Sequence, residues 1–254
     1  EFVNAYYEQT LPKGAYKGCP RYADFRQMLD KEKDIDAVLI STPDHVHAVI
    51  AMAAIQQGKH VYCEKPLTHT VEEARKITKA AHEAGVATQM GNQGHSGDGI
   101  RRTCEFIWDG AIGPVREVYG WSHAGSDWPG DYTARPTDTP PVPEDLDWEL
   151  WLGPIPQRPY SPAYVPYNWR GWWAFGTGAI GDMACHNLDP AFWALKLGHP
   201  ARVVASAPSI NADTTPKASI VRFDFPARGD MPEVSMHWYA GGLMPPVPEG
   251  FSPE

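Results

Sequence analysis

Two short stretches of this 254-residue chain carry side chains suited to proton and charge chemistry. The first is HVYCEKPLTHT, His60 to Thr70, in which a strand-like run ends abruptly at Glu64, Lys65 and Pro66. An acid, a cation and a proline at a strand tip do little for stability, but strand ends in open α/β sheets face ligand crevices. The second is GTGAIGDMACHNLDP, with Asp182, His186 and Asp189 at i, i+4 and i+7 of a helical pattern. That spacing predicts one shared helical face. An imidazole beside a carboxylate can serve as acid or base near neutral pH, although a buried histidine simply satisfied by a carboxylate has the same signature.

Elements on either side must position these groups. DAVLIS (Asp36 to Ser41) is a short apolar run, as expected of a strand buried on both faces. Thr42 and Pro43 stop it, and Asp44 is placed to cap the helix HVHAVIAMAAIQQG. HVYCE is the next strand, followed by a helix from about Val71 to Ala84, with Thr70 as cap and Glu73 in the capping-box position. VATQM then leads into the loop GNQGHSGDG, and upstream ADFRQMLD reads as a helix capped by Asp24. Strands alternating with helices predict parallel βαβ units. The loops STPDHVH, EKP and GNQGHS then leave neighbouring strands at the same edge. Each alone is a plausible turn, but three tips with charged and amide groups point to a site.

Beyond Gly99 the pattern changes. IRRTCEFIWDG reads as a helix and PVREVYGWSH as a strand. The segment from Ala124 to Tyr167 is rich in Pro, Trp and Tyr, and its aromatics predict an ordered covering loop. GAIGDMACHNLDPAFWALKLG reads as a helix broken near Pro190. RVVASAP, ASIVRFDF and EVSMHWYA close the chain as alternating strands of a mostly antiparallel sheet. The fold class is therefore α/β: parallel βαβ units over residues 1–95, and a second α+β domain with a mostly antiparallel open sheet over residues 96–254.

Composition excludes several classes. The chain is 43% hydrophobic and 21% charged, with no apolar run long enough to span a bilayer. A net charge of -9 disfavours a nucleic-acid partner. The four cysteines (Cys19, Cys63, Cys104, Cys185) form no CxxC pair, so free thiols are expected. They fit a reducing, cytoplasmic compartment, while a periplasmic one stays open because an export signal would precede Glu1. His45 and His47, with Lys65 and the Asp182/His186 pair, are residue types found in ligand sets of metal-dependent hydrolases. Side chains at i and i+2 of a helix start diverge, so no metal is expected.

The stretch ISTPDHVHAVIAMAAIQQGKHVYCEKPLTHTVEEARKITKAAHEAG resembles the glucose-fructose oxidoreductase/inositol dehydrogenase (Gfo/Idh/MocA) family. The resemblance rests on the EKP of Glu64-Lys65-Pro66, on the preceding TPDHVH turn, and on the glycine-rich approach to Asp182 and His186. It runs from about Arg21 to Gly198. It implies that residues 1–95 are a partial Rossmann domain, parallel and doubly wound, with NAD or NADP as cofactor and hydride transfer at a secondary alcohol of a sugar, cyclitol or glycoside. Lys65 would stabilise the developing alkoxide, His186 would exchange the hydroxyl proton, and Asp182 would hold substrate or orient the ring. Ser41, Thr42, Pro43, His47 and Glu64 would line the nicotinamide and its ribose. Gln93 belongs to the third loop of the cofactor site, and the Trp169-Arg170 pair would contact the cofactor from the second domain.

The resemblance also implies a homodimer or homotetramer through the second-domain sheet, and a small sugar or polyol as partner. Three departures accompany it. The family's first strand and GxGxxG turn are absent, so Glu1 is read as starting beyond the second strand of a longer protein. Gln93 is followed by Gly94 and His95 where many members carry Arg. The second sheet ends early. Two other functions remain compatible: an NAD-dependent glycosidase of the same fold, and a non-catalytic sugar-binding module.

Overall fold

In the computed structural model, which describes residues 2–248 and 250, the chain divides between Asp36 and Ala37 into two units. The smaller one contains α1 (Phe2–Thr10) and α2 (Phe25–Lys31). Asp24 caps α2 as expected, its carboxylate accepting from the Arg26 N–H at 2.9 Å.

The larger unit contains two sheets. The first holds β1 (Ala37–Ile40), β2 (His60–Glu64) and β3 (Thr88–Gly91), all parallel and in that order. Helix α3 (Asp44–Gln56) links β1 to β2 and buries Ala51, Ala54 and Ile55. Helix α4 (Val71–Ala84) links β2 to β3 and carries the expected capping box. Thr70 Oγ1 accepts from the Glu73 N–H, and the Glu73 carboxylate accepts from the Thr70 N–H. Gly85 then ends α4 at φ 65°, a left-handed conformation that suits glycine.

Two expectations for this region need correction. DAVLIS is buried on one face only: Val38 and Ile40 are buried, whereas Leu39 is 67% exposed. A parallel strand is enclosed on both faces only where helices cover both, and the Leu39 face is left open here. Asp44 does not cap α3. Pro43 occupies the cap position without a side-chain bond, and Asp44 is the first helical residue, its carboxylate turned elsewhere.

The second sheet has the order β4-β7-β6-β5, from β4 (Glu117–Ser122), β5 (Arg202–Ser206), β6 (Ser219–Phe225) and β7 (Val234–Ala240). β5/β6 and β6/β7 are antiparallel and β4/β7 is parallel, so the sheet is mostly antiparallel as expected. One face buries Val234, Met236 and Trp238. Helix α5 (Asp98–Trp108) leads into this sheet.

The covering segment is ordered by its aromatics. Trp148, Tyr164, Trp169, Trp172 and Phe175 form a buried cluster. Short helix α6 (Trp148–Leu152), capped by Asp147, anchors it. The helix expected around His186 is subdivided. A π-turn occupies Ile180–Ala184, α7 spans Cys185–Asn187, and α8 spans Asp189–Ala194, with the break falling beside Pro190 as expected.

Candidate functional site

Strand register aligns the loops. Ile40 faces Cys63 and Glu64 faces Gly91, so all three tips end at one sheet edge. A cavity of 480 Å³ opens there. Ser41, Thr42 and Pro43 form one wall, and Glu64 with Lys65 another. Trp169, Arg170 and Asp182 close the far side, together with Asp44, Pro166 and Tyr167.

At its centre, Lys65 Nζ donates to Asp182 Oδ1 at 2.6 Å and to the Asp182 main-chain oxygen at 2.7 Å. Both side chains are largely buried, at 17% and 15% exposure. The Asp182 carbonyl that accepts the second bond lies within the π-turn at Ile180–Ala184. Arg170 Nε also lies 3.6 Å from Asp182 Oδ1. Its guanidinium rests against Trp169 at 4.2 Å and Tyr167 at 4.6 Å, which fixes its plane.

Glu64 is held from the third loop. Gln93 Nε2 donates to both carboxylate oxygens, at 2.9 and 2.8 Å. The carboxyl lies over Gly91, where a Cβ would stand 2.8 Å from Glu64 Cδ. Gln93 therefore supports a wall residue and is not itself part of the cavity lining.

His47 also lies off the lining. It is 1% exposed, with Nδ1 2.8 Å from the Pro66 carbonyl and Nε2 2.7 Å from the Thr42 carbonyl. It ties the first two loops together from behind. His45 points away from it, with Nε2 2.8 Å from the Trp151 carbonyl and its ring against Trp151 and Phe175. The two imidazoles do not converge on a shared ion.

The helix expected for Asp182, His186 and Asp189 carries a π-turn at Ile180–Ala184, and both carboxylates lie near enough to His186 to act on its imidazole. Asp182 faces Lys65, and Asp189 accepts from His95 Nδ1 at 2.9 Å, with His95 stacked on Trp193. His186 is half-buried near both charges. Burial, and then the Lys65 ammonium, push its imidazole below the usual histidine range, which keeps it neutral at pH 7. Asn92 Nδ2 donates to the Cys185 carbonyl at 2.8 Å, tying the third loop to α7.

Sequence reasoning missed Asp44 and Tyr167. Asp44 sits inside the quoted TPDHVH turn, but its presumed cap role hid it. Tyr167 adjoins the Trp169-Arg170 pair. A further signal misleads: Gly176 to Gly181 spells G-x-G-x-x-G. No strand precedes it, and packing accounts for its glycines. A Cβ on Gly176 would lie 2.6 Å from Arg170 Cα, and one on Gly181 would lie 2.1 Å from Thr177 Oγ1.

A parallel α/β sheet with a polar cavity at its carboxyl edge is the arrangement in which open α/β folds bind their ligands. The chain belongs to the Gfo/Idh/MocA oxidoreductase family. The family model described as an NAD-binding Rossmann fold matches residues 5–92, and the C-terminal alpha/beta domain model matches residues 100–226. Levoglucosan dehydrogenase from Pseudarthrobacter phenanthrenivorans is 29% identical over 170 residues, covering 66% of this chain and 35% of that protein. Inositol 2-dehydrogenase from Klebsiella pneumoniae is 33% identical over 132 residues, covering 52% of this chain and 39% of that protein. The chain thus spans well under two thirds of the length of these relatives. The fold is similar to that of an inositol dehydrogenase homolog from Azotobacter vinelandii solved with NADH and myo-inositol. The TM-score is 0.59 at 20% identity, covering 87% of this chain and 49% of that one.

Proposed function

We propose that the protein carrying this chain transfers a hydride between NAD or NADP and a secondary alcohol of a sugar, cyclitol or glycoside, with Lys65, Asp182 and His186 at the reacting centre. The observation that carries this reading is the Lys65 ammonium, held at the strand-end cavity by Asp182. An ammonium has three donors, and Asp182 engages two, so one N–H is left for a substrate oxygen. That bond strengthens as the oxygen gains negative charge.

The polar strand-tip walls fit the nicotinamide end of a dinucleotide, with Ser41, Thr42, Pro43 and Glu64 as the residues to hold it. The bound nicotinamide supplies the hydride acceptor or donor. His186, neutral at pH 7, takes the hydroxyl proton during oxidation and returns it in reduction. Both cavity cations already face carboxylates (Asp182, with Asp44 and Glu64 nearby), so the site suits uncharged hydroxyls. The exposed ring of Tyr167 offers apolar surface in the cavity lining.

Turnover of a polyol panel with NAD⁺ and NADP⁺, followed by the appearance of reduced nicotinamide, tests the reading. Reduction that disappears in Lys65→Ala and His186→Ala supports it. Reduction of neither cofactor by any polyol overturns it, and aglycone release without net reduced cofactor turns it toward the glycosidase chemistry. Exposed Val204 and Ile220, on one face of the second sheet, support a homo-oligomer formed through that face. Sedimentation of Val204→Lys should then show a smaller species than the wild type, and equal sizes would refute this assembly.

A further inference from the structure

We infer that Asp44 and Thr177 are positioning residues that fix the π-turn presenting Asp182 to Lys65. Asp44 is only 4% exposed and makes no cap for α3. A buried carboxyl without a partner is costly, and the hydrogen bond it makes comes from Thr177 Oγ1, at 2.8 Å. Thr177 stands immediately before Gly178, at φ +64°, and shortly before the π-turn. Its side chain also presses on that turn. A Cβ at Gly181 would meet Thr177 Oγ1 at 2.1 Å and Thr177 Cβ at 2.3 Å, so only glycine admits the contact.

The connections close a circuit. The β1 loop holds Asp44, Asp44 holds Thr177, and Thr177 packs on Gly181. Gly181 adjoins Asp182, and Asp182 binds Lys65 on the β2 tip. β1 and β2 are hydrogen-bonded neighbours, so both ends are anchored on one rigid edge. A π-turn is rare and persists where its surroundings over-determine it, and the Asp44–Thr177 bond supplies one such restraint. The side chain of Thr177 is absent from the cavity lining, so its effect on Lys65 passes through the turn.

The catalytic consequence rests on the proposed dehydrogenase reading, whereas the geometric one does not, and the test separates them. Competitive labelling of lysine amines with acetic anhydride, resolved by mass spectrometry, reads Lys65 without any turnover. Thr177→Val should label Lys65 about tenfold faster than wild type, the scale of one lost buried hydrogen bond, with Lys59 and Lys76 unchanged. Thr177→Ser should restore the wild-type rate. Asp44→Asn, which keeps an acceptor for Thr177, should change it far less than Thr177→Val does. If Thr177→Val does not fold, Thr177→Ala provides the same comparison. In an active enzyme, kcat should fall in Thr177→Val while the KM for cofactor holds. Unchanged Lys65 labelling in a folded hydroxyl-free variant overturns the inference. Faster labelling in a protein without dehydrogenase activity supports the positioning role and counts against the redox reading instead.

Discussion

Lys65 and Asp182, 117 residues apart in the chain, meet twice: through a carboxylate oxygen at 2.6 Å and through a main-chain oxygen at 2.7 Å. The side-chain contact alone is an ordinary ion pair. The main-chain contact makes it directional, because a carbonyl in a π-turn has a fixed position. Lys65→Ala should therefore lower kcat by about 10²–10³, as removal of a transition-state donor does. Lys65→Arg should not rescue it, since no guanidinium nitrogen carries the three N–H donors that would bind both Asp182 oxygens and a substrate oxygen. Steady-state kinetics on both variants check this, and wild-type-like turnover by Lys65→Arg would contradict the geometry.

The titration of His186 provides a second check. Its imidazole is held below the usual histidine range, first by burial and then by Lys65⁺, while Asp182 pulls it upward. Lys65→Met should therefore raise the His186 pKa and Asp182→Asn should lower it further, read by NMR of the imidazole protons. A base must be neutral to accept a proton. The acid limb of kcat/KM should then lie below about 6.5, the ordinary histidine value.

His45 makes stability depend on pH. Burial lowers its pKa to about 4, because its ring is enclosed by Trp151 and Phe175. Between the unfolded value near 6.5 and the folded one, the unfolded chain binds the proton and the folded chain does not. Stability is thus fully present above about 6.5 and declines as pH falls through about 4, by roughly 3 kcal/mol in all. Asp44, whose carboxyl is raised by burial, works in the opposite direction. His45→Gln, which keeps a donor for the Trp151 carbonyl, should flatten the loss seen by urea unfolding between neutral and acid pH. An unaltered slope would count against His45 as its source.

Gly91 and Gly94 lie three residues apart and should answer differently to alanine. A Cβ at Gly91 meets Glu64 and Tyr62 within 2.9 Å, whereas one at Gly94 meets nothing within 4 Å. Gly91→Ala should cost about 1–3 kcal/mol through overpacking, and it should weaken cofactor binding by displacing Glu64 from Gln93. Gly94→Ala should be near neutral. Thermal melts and dinucleotide titration of the pair check both effects, and equal melting temperatures would refute the contact.

Much of this molecule was legible in its sequence because the signals are local. Thr70 and Glu73 spell the box that caps α4, Pro190 marks the break before α8, and the apolar runs give three parallel strands with charged tips. Lys65 could be singled out because a cation at a strand tip is costly unless it has a use. What could not be read were departures from regular periods. A helical wheel assumes a constant rotation per residue, and the π-turn at Ile180–Ala184 departs from it. Asp44 looked like a cap because cap residues are recognised by position, while its actual partner is 133 residues away. His47 looked like a wall residue, yet it is buried between two loop carbonyls. Sequence determined which groups reach the sheet edge, since that depends on a few neighbouring residues. Only the tertiary structure decided which of them bond to each other, since that depends on how distant segments pack.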